Sequence, residues 1–186
     1  SIAIKDASLF QKTIYNWALG VGKNYTELKD QGGKPNLWLK LNKILAHFLV
    51  FIKIKDMFGG NIRFLISGAA PISPNIIRYF HWIGLDIYEG YGMTETTGIV
   101  TGNKMGKAKI GSVGQALADT EIRIAEDGEI CTRCPQNISG YYNNEEATSE
   151  LLIPDEKGDI WLHTGDIGYL DEEGYLVITD RKKDII

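Results

Sequence analysis

Apolar residues recur at three- and four-residue steps through the first third of the chain. Leu9, Phe10, Ile14, Trp17 and Ala18 form one stripe, and Trp38, Leu41, Ile44, Leu45, Phe48 and Ile52 form another. The spacing predicts a helix over 6–20, with Asp6 as its cap, and a second over 36–58, stopped by Gly59-Gly60. Between them, residues 25–35 are polar, contain Gly32-Gly33, and read as a surface connection. Residues 61–66 predict a short buried strand, and 85–88 a second. Ser73-Pro74 opens the intervening helix, whose apolar face is Ile76, Ile77, Phe80 and Ile83. Strand, helix and strand with small-residue loops at both strand ends is the parallel α/β pattern, in which ligands sit at the carboxyl ends of strands. After Lys109 the period changes. Residues 120–124 and 129–133 around Glu126-Asp127-Gly128 predict a hairpin, as do 167–170 and 175–179 around Asp171-Glu172-Glu173-Gly174, and 144–151 predict a short acidic helix.

Composition narrows the function classes. With 186 residues, 44% of them hydrophobic, the chain has material for a substantial core. A net charge of −4, with 20 basic residues dispersed along the sequence, leaves no electrostatic footprint for nucleic acid. The apolar run over 44–52 contains His47, is flanked by Lys43 and Lys53, and is too short to span a bilayer. A buried helix is its default reading, and a peripheral contact with a membrane surface is the other. Cys131 and Cys134 point to opposite faces of a strand and lack two further zinc ligands, so they read as ordinary thiols in a reducing cytosol. The segment Gly102-Asn103-Lys104-Met105-Gly106-Lys107-Ala108 is one residue short of a phosphate loop, and Ala108 stands where a hydroxyl is needed. The sequence starts at Ser1 and stops in a polar run just after a strand pattern, so it is expected to be an internal piece of a longer protein.

Candidate chemistry concentrates in Tyr88-Glu89-Gly90-Tyr91-Gly92-Met93-Thr94-Glu95-Thr96-Thr97-Gly98. Gly90 and Gly92 let the main chain turn sharply and lie close to a ligand, and Tyr91 between them can offer a flat face to a base. Thr94 can donate to a phosphate oxygen, and Glu95 is a hard oxygen ligand of the kind Mg²⁺ accepts beside phosphates. A simple turn is the alternative. Ser67-Gly68-Ala69-Ala70-Pro71 leaves its backbone open to a ligand, or is a small-residue turn required by packing. In Trp161-Leu162-His163-Thr164-Gly165-Asp166, a carboxylate at a strand exit can accept two hydrogen bonds from a ribose diol, or merely shape the turn; His163 reads as packing. Asp180-Arg181 alone is an ordinary surface pair.

The order of these motifs resembles the adenylate-forming ligases, the superfamily of acyl-CoA synthetases, peptide-synthetase adenylation domains and luciferases, and looks most like its long-chain fatty acyl-CoA synthetases. The resemblance implies that Gly68, Ala69, Ala70 and Pro71 form the adenine loop, that Tyr91 stacks on adenine with Glu89 and Gly90 beside it, and that Thr94 holds the α-phosphate. It likewise implies that Glu95 binds Mg²⁺ and that Asp166 and Arg181 hold the ribose. Many members carry an amide or another polar residue where Glu89 stands. The implied reaction joins a fatty acid to coenzyme A through an acyl-AMP made from ATP. The implied architecture is the C-terminal part of an α/β subdomain over 1–109, a β-rich, distorted-barrel subdomain over 110–179, and a hinge over 180–186 leading to a further domain. Gly128-Glu129-Ile130 and Gly140-Tyr141-Tyr142 match a motif assigned to packing. A phosphate loop preceding residue 1 and a C-terminal lysine are family elements this sequence lacks, so the isolated chain is expected to be inactive. The alternatives are a ligase for another acid and a non-catalytic nucleotide-binding module.

Overall fold

The computed structural model describes residues 8–182. They fall into two compact units: residues up to Leu65 with Ile72–Ile87, and Ile66–Pro71 with the chain from Tyr88 onward.

The first unit is helical. Helix α1 (Leu9–Asp30) starts at Ser8, whose hydroxyl accepts from the Gln11 N–H while Gln11 Oε1 accepts from the Ser8 N–H at 2.8 Å. The predicted cap, Asp6, lies outside the described residues. The helix runs ten residues past Gly20, because neither glycine in its middle acts as a stop. Gly22 is instead a packing residue, since a β-carbon there would come within 2.5 Å of the Trp82 carbonyl oxygen. Termination waits for Gly32, with φ +76°, and Gly33, whose N–H donates to the Leu28 carbonyl. Asn36 caps α2 (Leu37–Ala46), accepting from Leu39 N–H at 2.8 Å. A π-helical turn (His47–Phe51) and α3 (Ile52–Asp56) continue the rod, as the apolar spacing predicted. Helix α4 (Pro74–Ile83) begins at Ser73 with Pro74 in its first turn and ends on left-handed Gly84. The core joins Ala18, Val21, Ala46, Val50, Phe51, Ile83 and Leu85.

The apolar stripe of α2 does not enter that core. Trp38 is 71% exposed and Phe48 63%, and Leu41, Ile44 and Leu45 are exposed with them, against the expectation of a buried helix. The rod is apolar on more than one side, and the side that packs is that of Ala46, Val50 and Phe51. No helix among the described residues is long and apolar enough to cross a membrane.

Strands β1 (Phe64–Ser67), β2 (Asp86–Met93), β3 (Gly98–Gly102) and β4 (Gln115–Ala116) form a sheet in that order, with α4 between β1 and β2 in sequence. The remainder of the second unit is an antiparallel sheet ordered β5 (Glu121–Ile124), β6 (Glu129–Arg133), β8 (Ile160–Leu170), β7 (Leu152–Pro154), with β9 (Leu176–Arg181) also on β8. The short helix α5 (Glu145–Leu151), capped by Asn144, leads into β7. The fold class is mixed α/β, as predicted. The β-rich part is an open sheet among the described residues: the long strand β8 carries β7 on its first residues and β9 on its last, and the strand order does not close a ring. β8 includes Gly165, at φ +73°, and a register shift between Ile167 and Gly168, so the strand continues through the point where an exit was expected. Tyr91, Val100, Ile130 and Leu176 form the core of this unit.

Candidate functional site

Every candidate residue lies in the second unit. The glycine-rich motif is strand, not loop: β2 runs through Gly90 and Gly92 to Met93, and neither glycine adopts a left-handed φ. Their small size serves the neighbouring strand. A β-carbon on Gly92 would lie 1.9 Å from the Gly98 carbonyl oxygen, and β2 and β3 shift register at Tyr91/Gly92. The small-residue loop abuts the same strand, since a β-carbon on Gly68 would sit 3.3 Å from the Gly90 carbonyl oxygen. Gly68, Ala69, Ala70 and Pro71 are all exposed, and Ala69 is left-handed at φ +65°. Glu89 is half-buried; burial pushes its carboxyl up, and a Gly111 backbone contact opposes the shift.

The strand pairing sends Tyr91 inward. Its ring is only 8% exposed and packs with Val100, Ile130 and Leu176, and its hydroxyl donates to Asp166 Oδ2 at 2.7 Å. The other oxygen of Asp166 accepts from Arg181 Nε at 3.2 Å, and Asp166 as a whole is 9% exposed. Burial first, and the Asp166 carboxylate with it, push the Tyr91 phenol above its usual range, while the Thr164 hydroxyl acts the other way. Tyr91, Asp166 and Arg181 thus form a linked triplet. Each Asp166 oxygen has one named donor and a second lone pair for another.

Thr94, Glu95 and Thr96 form a 3₁₀ turn at the end of β2. Buried Thr96 holds it, accepting from Met93 N–H at 2.9 Å and donating to the Gly98 carbonyl at 2.7 Å. Thr94 is exposed and Glu95 half-buried. Tyr141 donates its hydroxyl to Glu95 Oε1 at 2.7 Å, and the Glu95 carbonyl accepts from Ile138 N–H at 2.8 Å. No group of three or more His, Cys, Asp or Glu side chains fit to hold a metal occurs among the described residues. A lone carboxylate matches the requirement of Mg²⁺, which binds through one or two carboxylates and takes its other ligands from phosphates and water.

Two residues assigned to packing have polar tasks. One is Tyr141. The other is Glu129, only 5% exposed, whose Oε1 accepts from Gly165 N–H at 2.8 Å and whose Oε2 accepts from His163 Nδ1 at 2.9 Å and Lys182 Nζ at 3.0 Å. Lys182 also reaches Asp127 at 2.7 Å. Burial by itself raises the Glu129 carboxyl, but His163, Lys182 and the Gly165 N–H together hold it below its ordinary value. The available signal was a carboxylate followed directly by the apolar pair Ile130 and Cys131 in a strand, where a buried acid is tolerated only when paired.

Comparison with known proteins gives this arrangement a family. The profile of the family described as AMP-binding enzyme matches residues 27–142. Long-chain-fatty-acid–CoA ligase FadD15 of Mycobacterium bovis is 40% identical over 173 residues, which cover 93% of this chain and 28% of that protein. A long-chain-fatty-acid-CoA ligase (FadD1) from Archaeoglobus fulgidus matches with a TM-score of 0.59 and 30% identity, over 64% of this chain and 28% of that one. O-succinylbenzoate coenzyme A synthetase (MenE) from Bacillus subtilis, solved with ATP and magnesium ion, matches with a TM-score of 0.57 and 33% identity, over 67% and 27%. The chain therefore spans little more than a quarter of the curated relative it matches. The matched span takes in the strand-helix-strand run and the motif from Tyr91 to Glu95, and the chain belongs to the AMP-binding enzyme family.

Proposed function

We propose that this chain is the nucleotide-binding part of an AMP-forming ligase that activates a long-chain fatty acid with ATP and transfers it to coenzyme A. The observation that carries the reading is Asp166, a carboxylate held between the Tyr91 hydroxyl and Arg181. A carboxylate oriented in advance by two donors can take a ribose diol with little further ordering. The kinship with FadD15 and with the Archaeoglobus fulgidus ligase supports a long-chain fatty acid as the acid.

In this reading, the exposed backbone of Gly68, Ala69, Ala70 and Pro71, with Glu89 and Gly90, borders the adenine, and Tyr91 forms the floor of that site. Asp166 and Arg181 bind the ribose. Thr94 donates to the α-phosphate, which the fatty-acid carboxylate attacks with loss of pyrophosphate; the coenzyme A thiol then displaces AMP. Glu95, oriented by Tyr141, would hold Mg²⁺ shared with the phosphates, as the MenE complex with ATP and magnesium suggests by kinship. The ion would supply neutralisation of phosphate charge. The subdomain division at residue 110, the hinge over 180–186, a cytoplasmic location and a peripheral membrane contact through the apolar face of α2 belong to the same proposal.

The test is acid-dependent exchange of labelled pyrophosphate into ATP by the protein carrying this chain, across acetate, aromatic acids, amino acids and fatty acids of increasing length. Exchange peaking with long fatty acids is expected. Exchange peaking with another acid would change the substrate, and ATP binding without exchange would favour a non-catalytic nucleotide module.

A further inference from the structure

The Asp166–Arg181 pair is built on two pieces of backbone that need support. Gly165, immediately before Asp166, stands in the left-handed region, and Arg181 is the last residue of β9. Both neighbours converge on one side chain. Glu129 Oε1 accepts from the Gly165 N–H at 2.8 Å, and Glu129 Oε2 accepts from Lys182, the residue after Arg181, at 3.0 Å. His163 joins the same oxygen at 2.9 Å, and Asp127 holds Lys182 from the other side at 2.7 Å. A buried carboxylate with three donors has little freedom to move, because each partner it lost would leave an unsatisfied buried charge. Its position is therefore passed to the chain on both sides of the ribose-type site.

We infer that Glu129 is a positioning residue for nucleoside binding: through the Gly165 N–H it sets the direction of Asp166, and through Lys182 it sets the reach of Arg181. The inference rests on the nucleoside reading of Asp166. Glu129 touches neither Asp166 nor, in that reading, the nucleotide; it acts by fixing the peptide before one ligand and the residue after the other. His163 supplies the third hydrogen bond to the buried acid.

The experiment is steady-state kinetics of the adenylation step in the protein carrying this chain, comparing wild type, Glu129→Gln, Asp166→Asn and the double variant. The Gln amide retains an oxygen for Gly165 but places an NH₂ where His163 and Lys182 donate. Glu129→Gln is expected to raise KM for ATP by about tenfold with KM for the acid unchanged, and the double variant is expected to match Asp166→Asn within about twofold, because the two residues act as one unit. The Glu129→Gln penalty is also expected to shrink with 2′-deoxy-ATP, which lacks half of the diol. A fall in kcat alone, or penalties that multiply independently in the double variant, would reduce Glu129 to a fold residue and overturn the inference while leaving the nucleoside reading intact. An Asp166→Asn variant with wild-type KM for ATP would remove both together. Lys182→Met, at a half-exposed position, tests the second arm by removing one of the three donors to the buried acid while leaving the Gly165 and His163 contacts in place: a KM for ATP raised about twofold or more supports it, and an unchanged KM overturns it.

Discussion

Tyr91 does two things with one side chain. Its ring fills the core of the second unit, and its hydroxyl provides one of the two named donors to a nearly buried carboxylate. Removing a hydrogen bond to a charged, desolvated acceptor costs more than removing an exposed one, because the acceptor keeps its charge and loses its partner. Tyr91→Phe keeps the ring and deletes the donor, so it should lower the stability of the chain by about 1.5–3 kcal/mol in urea unfolding. An unchanged unfolding midpoint would mean that water replaces the hydroxyl and that Asp166 is more open than its 9% exposure indicates.

Helix α1 provides a matched pair of tests at the scale of an element. Gly20 and Gly22 both sit in its middle, with nothing within 4 Å of a β-carbon at Gly20 and the Trp82 carbonyl 2.5 Å from one at Gly22. Gly20→Ala should stabilise by about 0.5–1 kcal/mol through helix propensity, while Gly22→Ala should destabilise by about 1–3 kcal/mol through overpacking. Thermal unfolding of the two variants reads the opposite signs, and shifts of one sign for both would deny the close approach of α1 to Trp82. Helix α4 is tied in differently. His81 contacts Asp86 at the start of β2 at 2.6 Å and Asp30 at the end of α1 at 3.2 Å. The Asp86 hydrogen bond raises the imidazole above its usual value; burial opposes this, and Asp30 adds to the rise. A group raised on folding stabilises fully below its unfolded value, near 6.5, and loses that contribution as pH rises through the higher folded value. Wild type should therefore lose stability as pH rises from about 6.5 through the higher folded value, by an increment that His81→Gln abolishes. Parallel stability profiles for the two proteins would mean that the ion pairs of His81 contribute nothing on folding.

For the molecule as a whole, the apolar stripe of Trp38, Leu41, Ile44, Leu45 and Phe48 is the dominant exposed feature of the helical unit. Contiguous apolar surface of this kind drives association in water. The chain by itself should self-associate, and Trp38→Glu with Phe48→Lys should reduce that association in light scattering without altering helix content. A monodisperse wild-type chain would mean that the stripe is not sticky enough to matter. The same isolated chain should make no detectable acyl-AMP, since it spans only 28% of the length of the ligase relative it matches. Formation of acyl-AMP by the purified chain would place the whole adenylation site within these 186 residues.

The sequence by itself determined what neighbours along the chain decide. Three- and four-residue apolar spacing located α1, α2 and α4, alternating positions around Gly128 and Gly174 located two hairpins, and the order of short motifs pointed to the family. Only the tertiary structure decided which of these residues meet. Tyr91 and Asp166 are 75 residues apart in sequence, and Glu129 and Lys182 are 53 apart, so no local period relates them. The same holds for glycines: in the sequence Gly92 looks like a turn, and only the proximity of Gly98 shows that it is a strand residue with no room for a β-carbon. The face of α2 that is buried was likewise undecidable from a helix apolar on several sides, because burial depends on which partner surface is present, and periodicity describes only the helix.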